Sequence, residues 1–281
     1  MNKNKTPSAA EANRAYFTAL ANTRASLASL PGVTILVILL LSLDTFAGIQ
    51  AVVFHEGAGL FLPLFTVHLI VLGMCGFVLI LTVSKRAVFR FQTLFSVVMA
   101  SMSALLVYSI SIMAVVISSF DSATSRLSPA MFYVIGAAAL VLTGGASGFH
   151  ALLLRRRLRL GHSENRTVGN YLAVSRSNTS KIYWATFGLV MIIPNVLTQG
   201  QYLVNCIGII MLIVFACFTT SLPVEFAYLA YLKSKDRDYW ERPPRPVAKE
   251  VRLRLARKII LWVVGIAGAL ALFWVLAKYV L

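Results

Sequence analysis

Residues 33–54 read VTILVILLLSLDTFAGIQAVVF, a run of 22 residues in which Asp44 is the only ionisable side chain. The hydrocarbon core of a bilayer is about 30 Å thick, and a helix needs about 20 apolar residues to cross it. The run is long enough, and it is apolar on all faces, whereas a membrane-spanning β-strand alternates in polarity. It therefore predicts a transmembrane helix that carries one carboxyl group into the membrane.

Six further apolar stretches follow the first along the chain. Together they predict seven spans, at residues 33–54, 59–83, 93–119, 129–154, 182–198, 202–228 and 259–279. The fifth span is the shortest and lies at the lower limit of length for a crossing. No segment between spans exceeds about 30 residues, which is too short to bury a core alone. The sequence thus predicts an all-α fold, a polytopic membrane helix bundle in which residues 33–281 form one transmembrane domain of seven helices.

The positive charges predict the orientation of this bundle. Of 26 Lys and Arg residues, 24 lie in the N-terminal segment or near the loops 84–92, 155–181 and 233–258, which share one side if every stretch crosses. The opposite side receives only Arg126 and Lys278. Because basic loops stay in the cytoplasm, we expect an N-inside, C-outside protein of a bacterial-type plasma (inner) membrane.

The N-terminal segment, residues 1–32, has a helix signature of its own. Ser8 is followed three residues later by Glu11, the spacing of a capping box. Apolar residues then recur at helical spacing, namely Tyr16, Phe17, Leu20 and Leu27. We expect a cytoplasmic amphipathic helix that lies on the inner leaflet with Arg14 and Arg24 towards lipid phosphates.

The formal net charge of +16 limits the possible partners. In a soluble protein it would suggest nucleic acid, but here the excess is spread over loops that adjoin the membrane. Anionic lipid headgroups attract such juxtamembrane charge, and no basic stripe is interleaved with aromatic residues as in nucleic-acid readers. We therefore expect a lipid bilayer with anionic headgroups as partner, a membrane protein or a second copy of the chain as a further possible partner, and no nucleic acid.

Ionisable groups inside the membrane are the first candidates for function. Asp44 and His68 belong to consecutive predicted spans joined by a short loop, and both fall near the middle of the membrane. In one interpretation they share a proton that drives a conformational change, as in proton-linked carriers. In the other they are a buried pair that fixes helix packing, and polar residues of the third span complete the network. Those residues are Ser101, Ser103 and Tyr108.

Glu225 and His150 form a second candidate set. Both are predicted near the inner ends of helices that run in the same direction. Glu225 follows Pro223 by two residues, and a proline there can free backbone carbonyl groups. Spans four and six are not consecutive, so their contact is a hypothesis.

No catalytic, cofactor or metal signature is found in the sequence. The residues Gly145-Ala146-Ser147-Gly148 resemble the GxSG element of rhomboid intramembrane proteases, but that family needs a His on a later helix, and spans five to seven have none. The three cysteines lie within spans, and no two have metal-ligand spacing. We expect no enzyme activity, no cofactor and no metal.

These patterns favour a non-enzymatic membrane protein, either a permease-like carrier or a membrane subunit of a transport or export assembly. The alternative is an accessory, immunity or scaffold protein that binds another membrane protein. A continuous polar cavity through Asp44, His68, Asn195, Asn205 and Glu225 would favour a carrier. A dry core would favour a binding role.

The predicted topology is testable with reporter fusions. A reporter that is active only in the cytoplasm should be active when fused after Lys235 and silent when fused after Leu281, because one further span separates the two sites. Activity at both sites would mean that residues 259–279 do not cross. Silence after Lys235 with activity after Leu281 would mean that residues 182–198 do not cross.

Overall fold

The computed structural model describes residues 8–54, 58–119, 129–164, 166–167, 202–236 and 240–241. Within these ranges the regular elements are helices, without a strand. They are α1 (Ala9–Ala21), a short 3₁₀ turn (Leu27–Ser29), α2 (Leu30–Phe54), α3 (Ala58–Thr82), α4 (Lys85–Arg90), α5 (Gln92–Ser119), α6 (Pro129–Leu160), α7 (Tyr202–Thr219) and α8 (Ser221–Lys235).

Five stretches of the described helices are long and apolar enough to cross a membrane. They are Leu27–Ile49, Leu62–Thr82, Gln92–Ile117, Tyr133–Leu160 and Gly208–Lys235. The predicted class, a helical membrane protein, is confirmed by these helices. The predicted spans 182–198 and 259–279 lie outside the described residues, so the count of seven and the orientation stay predictions.

Helix α5 lies at the centre of the described bundle. It packs against α2, α6, α7 and α8, while α3 packs against α2. Its buried side chains include Phe95, Met99 and Leu106, and the small residues Ser103 and Ala114 are buried as well. Small side chains let helices approach closely where lipid provides no hydrophobic driving force between them. The small residues of α5 therefore allow close approach of its neighbours, and its large residues fill the space between them.

The outer helices α3 and α6 present large apolar side chains on their surface. Ile70 and Phe77 on α3 are exposed, as are Leu140 and Phe149 on α6. Exposing such an apolar surface to water costs free energy, whereas lipid tails solvate it. This surface is expected of helices at the edge of a membrane bundle.

The sixth predicted span, residues 202–228, is divided into two helices. Helix α7 ends at Thr219, and α8 begins at Ser221 with Pro223 in its first turn. Proline is tolerated there because the first backbone N–H groups of a helix have no intrahelical partner. Helix α8 then continues to Lys235, beyond the predicted end of the span, because the charged Lys233 is buried against a partner.

Helix ends that carry basic residues meet at one end of the bundle, which we call the basic end. Helix α1 contacts α6 there, and α4 contacts the 3₁₀ turn and α5. The capping box of α1 is present: the Glu11 backbone N–H donates to Ser8 Oγ, and the Ser8 backbone N–H donates to Glu11 Oε2. The described basic residues at this end lie on α4, at the end of α6 and at the end of α8, and include Lys85, Arg86, Arg90, Arg155, Arg156, Arg157, Arg159, Lys233 and Lys235.

Glu241 joins three segments at the basic end. Its side chain accepts hydrogen bonds from Ser26 Oγ at 2.7 Å, from the backbone N–H of Leu27 at 2.8 Å and from the Lys233 ammonium. Its backbone carbonyl lies 3.4 Å from Gln92 Nε2. Lys233 has no exposed surface, and Glu241 is buried as well. This cluster ties the start of α2 and the start of α5 to the end of α8.

Replacing Glu241 with Ala should destabilise the protein strongly. Breaking a buried ion pair leaves the other charge uncompensated, which costs about 3–5 kcal/mol in soluble proteins. We expect the melting temperature in detergent to fall clearly for Glu241→Ala and little for the control Glu164→Ala, because Glu164 is exposed. The double variant Lys233→Met/Glu241→Leu should recover part of the loss. Equal melting temperatures for Glu241→Ala and Glu164→Ala would contradict the cluster.

Candidate functional site

Asp44 is the buried carboxylate inside the membrane span of α2. Its side chain is 2% exposed, and Oδ2 accepts a hydrogen bond from Ser109 Oγ on α5. Asp44 Oδ1 has no hydrogen-bond partner in the described part of the chain. A carboxylate away from water is stabilised by several donors, and here the structure supplies one. Asp44 is therefore a buried carboxyl group with one oxygen left unsatisfied by the described residues.

His68 lies on α3 with its ring against α5. Nδ1 is 2.8 Å from the carbonyl oxygen of Leu64, one turn earlier, so Nδ1 carries the proton and Nε2 is left as an acceptor. The ring stacks on Tyr108 with 5.6 Å between centroids. His68 is buried, and its Nε2 is also without a hydrogen-bond partner among the described residues.

The two residues of the first candidate site meet α5 at consecutive positions, Tyr108 and Ser109. The structure shows no direct hydrogen bond or ion pair between Asp44 and His68 in the residues that it describes. Of the expected network residues, Tyr108 takes part. The Ser101 and Ser103 hydroxyl groups instead donate to carbonyl oxygens of their own helix. Whether this site binds a proton stays a prediction.

Ser109 was missed by the sequence reasoning, although a signal for it exists. Asp44 lies 17 residues after Leu27, and Ser109 lies 17 residues after Gln92, where their spans begin. Both helices start from the same end of the bundle, so equal sequence offsets give equal depths at 1.5 Å per residue. The expected partners Ser101 and Ser103 lie about 9–12 Å nearer the basic end on that scale.

The second candidate pair is not brought together in the described part of the chain. Glu225 is 4% exposed and accepts hydrogen bonds from the Tyr16 hydroxyl at 2.7 Å and from Arg166, with Arg157 Nη1 at 4.0 Å. His150 precedes Arg157 by seven residues, about 10 Å along α6. Its ring lies next to Phe149. Glu225 is therefore part of an ionic cluster at the basic end that does not include His150.

Helix α1 supplies one side of this Glu225 cluster. The Tyr16 ring stacks on His162 with 3.9 Å between centroids, and the Arg166 guanidinium lies 5.1 Å from the Tyr16 centroid. Tyr16, Phe17 and Leu20 are fully or almost fully buried. The apolar face of α1 thus contacts protein, and the position of α1 at the membrane surface stays a prediction.

The end of α6 is built to receive α1. Gly161 has a φ of 88°, the left-handed conformation that lets a helix end without strain at glycine. A Cβ atom there would lie 3.1 Å from the Cα of Ala9. Asn13 of α1 then caps the same helix end: its Nδ2 donates to the carbonyl oxygen of Leu158 at 2.7 Å, and its Oδ1 accepts from the backbone N–H of His162 at 3.1 Å.

His162 is held neutral in this environment. Its Nδ1 donates to Asn13 Oδ1 at 2.7 Å. Burial, and then the positive charges of Arg166 and Arg157, lower the pKa of His162 from 6.5 to about 4. Burial and the Glu225 carboxylate raise the pKa of Tyr16. Protonation of His162 would place a third positive charge beside two arginines.

Two open cavities border α5, and their walls are mainly apolar. One of about 450 Å³ lies between α5 and α6, and one of about 890 Å³ lies between α3 and α5. Tyr108 lines both, but Asp44, His68 and Glu225 line neither. Asn195 and the side chain of Asn205 lie outside the described residues. Neither of these two cavities connects the two ionisable sites.

The described side chains include no group of three or more His, Cys, Asp and Glu residues that could hold a metal ion. Comparison with protein-family models, with curated proteins and with solved structures finds no match for this chain. The Asp44 and His68 site and the Glu225 cluster are therefore the features that bear on its function.

The pKa of His162 predicts that acid weakens the docking of α1. Between pH 6.5 and about 4 the unfolded chain binds a proton at His162 that the folded chain does not bind, so stability falls as the pH falls through this range. We expect the melting temperature of the wild type to drop between pH 7.5 and pH 5. The variant His162→Phe, which keeps a ring against Tyr16, should show a smaller drop. An equal drop in both proteins would mean that other groups are responsible.

Proposed function

We propose that this chain is a non-enzymatic membrane subunit of a transport or export assembly, set in a bacterial-type plasma membrane. The observation that supports it is the separation of the buried charged groups. The Glu225 and Glu241 clusters are internally paired at the basic end, and Asp44 lies apart from them inside the membrane. A carrier needs a polar route across its bundle, whereas a subunit can work through its surface.

The outer surface of the bundle is suited to contacts within the membrane. The spans Leu62–Thr82 and Tyr133–Leu160 are each only 11% buried, against 61% for Gln92–Ile117. Such helices contact either lipid or another membrane helix. A partner protein or a second copy of the chain would bind here, and an accessory or scaffold protein would use the same surface.

The proposed topology is seven spans with the N-terminus inside. Helices α6 and α8 both end at the basic end. This common direction of α6 and α8 supports a further crossing between them, at the predicted fifth span 182–198. The gathering of basic residues at one end supports a cytoplasmic location for that end.

A permease-like carrier is the second candidate, and one observation favours it. Asp44 Oδ1 and His68 Nε2 are both buried without a hydrogen-bond partner among the described residues. Unsatisfied buried polar groups are uncommon in proteins and often mark functional positions. In a carrier, Asp44 would bind and release the coupling proton as α2 and α5 move relative to each other.

One purification experiment separates the two candidates. The wild type and Asp44→Asn would be purified from native membranes in a mild detergent, and co-purifying proteins would be quantified by mass spectrometry. A subunit should carry stoichiometric transport or export components in both forms, because the amide oxygen of the substituted side chain can still accept the Ser109 hydrogen bond. Co-purifying proteins of another class would indicate the accessory or scaffold role.

A permease-like carrier should give the opposite result in this purification. It should purify without a stoichiometric partner, and its tryptophan fluorescence in proteoliposomes should change with pH in the wild type but not in Asp44→Asn. Ser42→Ala, also on α2, is the control for a substitution outside the Asp44 contact. A lone protein with an Asp44-dependent response to pH would overturn the subunit proposal.

A further inference from the structure

Three arginines form a separate feature at the end of α6. Arg155, Arg156 and Arg159 are exposed and lie on the same face as Leu152 and Leu160, because residues spaced by three, four, seven and eight share one face of a helix. These five residues of α6 border an open surface depression of about 570 Å³, which we call the arginine cavity. It is separate from the Glu225 cluster and from the two cavities beside α5.

The neighbouring arginine on the helix has a different role. Arg157 lies within 4.0 Å of Glu225 and belongs to the internal cluster at the basic end. Within the described residues, Arg155, Arg156 and Arg159 form no ion pair. No acidic side chain lines the arginine cavity. The cavity therefore combines three positive charges that no carboxylate of the described residues neutralises.

The position of the cavity along α6 indicates that a lipid phosphate can reach it. The apolar span of α6 runs from Tyr133 to Leu160, so the arginines lie in its last turns, where lipid headgroups are found. On the membrane side of the arginines, Phe149 and Leu152 are exposed by 58% and 66%. An anion at this position has an apolar surface next to it that can contact acyl chains.

We propose that the arginine cavity is a binding site for one anionic phospholipid of the surrounding bilayer. Arg155, Arg156 and Arg159 bind the headgroup phosphate, and Phe149 and Leu152 contact its acyl chains. Guanidinium groups bind phosphate oxygens through paired N–H donors, which a single ammonium cannot do. A zwitterionic lipid carries a cation that three arginines repel, so the site discriminates by headgroup charge. This inference does not depend on the proposed function.

The test compares lipid binding to two variants by native mass spectrometry. The first variant, Arg155→Gln/Arg156→Gln/Arg159→Gln, removes the three charges of the cavity. The protein is titrated in detergent with phosphatidylglycerol or phosphatidylcholine of the same acyl chains. We expect the wild type to bind one phosphatidylglycerol in preference to phosphatidylcholine, and the variant to bind it at least about tenfold more weakly.

The control variant is Lys85→Gln/Arg86→Gln/Arg90→Gln on α4. It removes three exposed positive charges from the same end of the bundle and leaves the arginine cavity intact. Its affinity for phosphatidylglycerol should stay within about twofold of the wild type, since long-range attraction is screened. An equal loss in both variants would show that diffuse charge binds the lipid and would overturn the proposal.

Two further outcomes would also overturn it. Equal binding of phosphatidylcholine would show that headgroup charge is not recognised, and displacement of the lipid by millimolar inorganic phosphate would show a site for free phosphate. If the triple variant folds poorly, Arg159→Glu replaces it, with Arg90→Glu as its control. Arg159→Glu should bind phosphatidylglycerol more weakly than Arg90→Glu does.

Discussion

The arrangement of the basic end depends on the cost of placing an unpaired charge away from water. Glu241 is buried there with Lys233, and Glu225 is buried with Arg166 and Arg157 nearby. Glu225 joins α8 to Arg166 and to α1, and Glu241 joins the end of α8 to Ser26 and Leu27 before α2. Because neither partner can be buried alone at low cost, the start of α2, the end of α6 and helix α1 are held against α8. Charge pairing therefore adds to the apolar contacts of Tyr16, Phe17 and Leu20 in positioning these segments.

The interior of the span differs from the basic end in this respect. Asp44 is buried with a serine hydroxyl as its donor, and His68 is buried against a tyrosine ring and its own helix. Hydroxyl and ring contacts do not neutralise a carboxylate, so its protonation state can change without breaking an ion pair. Among the described residues, the structure thus separates the ion-paired groups at the basic end from Asp44 and His68, which form no ion pair inside the span. That separation underlies both candidate functions.

Local sequence patterns predicted local structure well where neighbouring residues decide it. Ser8 and Glu11 form the capping box because both partners lie within one helical turn. Hydropathy located the described spans for the same reason, since any helix of that length and composition avoids water. Helices α6 and α8 both continue past the predicted ends of their spans, to Leu160 and Lys235, because hydropathy marks the apolar segment and not the end of the helix.

The sequence by itself determined the all-helical class, the approximate positions of the described spans, the asymmetry of charge and the two carboxylates worth attention, Asp44 and Glu225. Each of these depends on composition or on residues close together in the chain. Only the tertiary structure decided the partners: Ser109 for Asp44, Tyr16 and Arg166 for Glu225. Those choices depend on the rotation of each helix about its axis, which is set by side-chain packing among helices and has no counterpart in hydropathy.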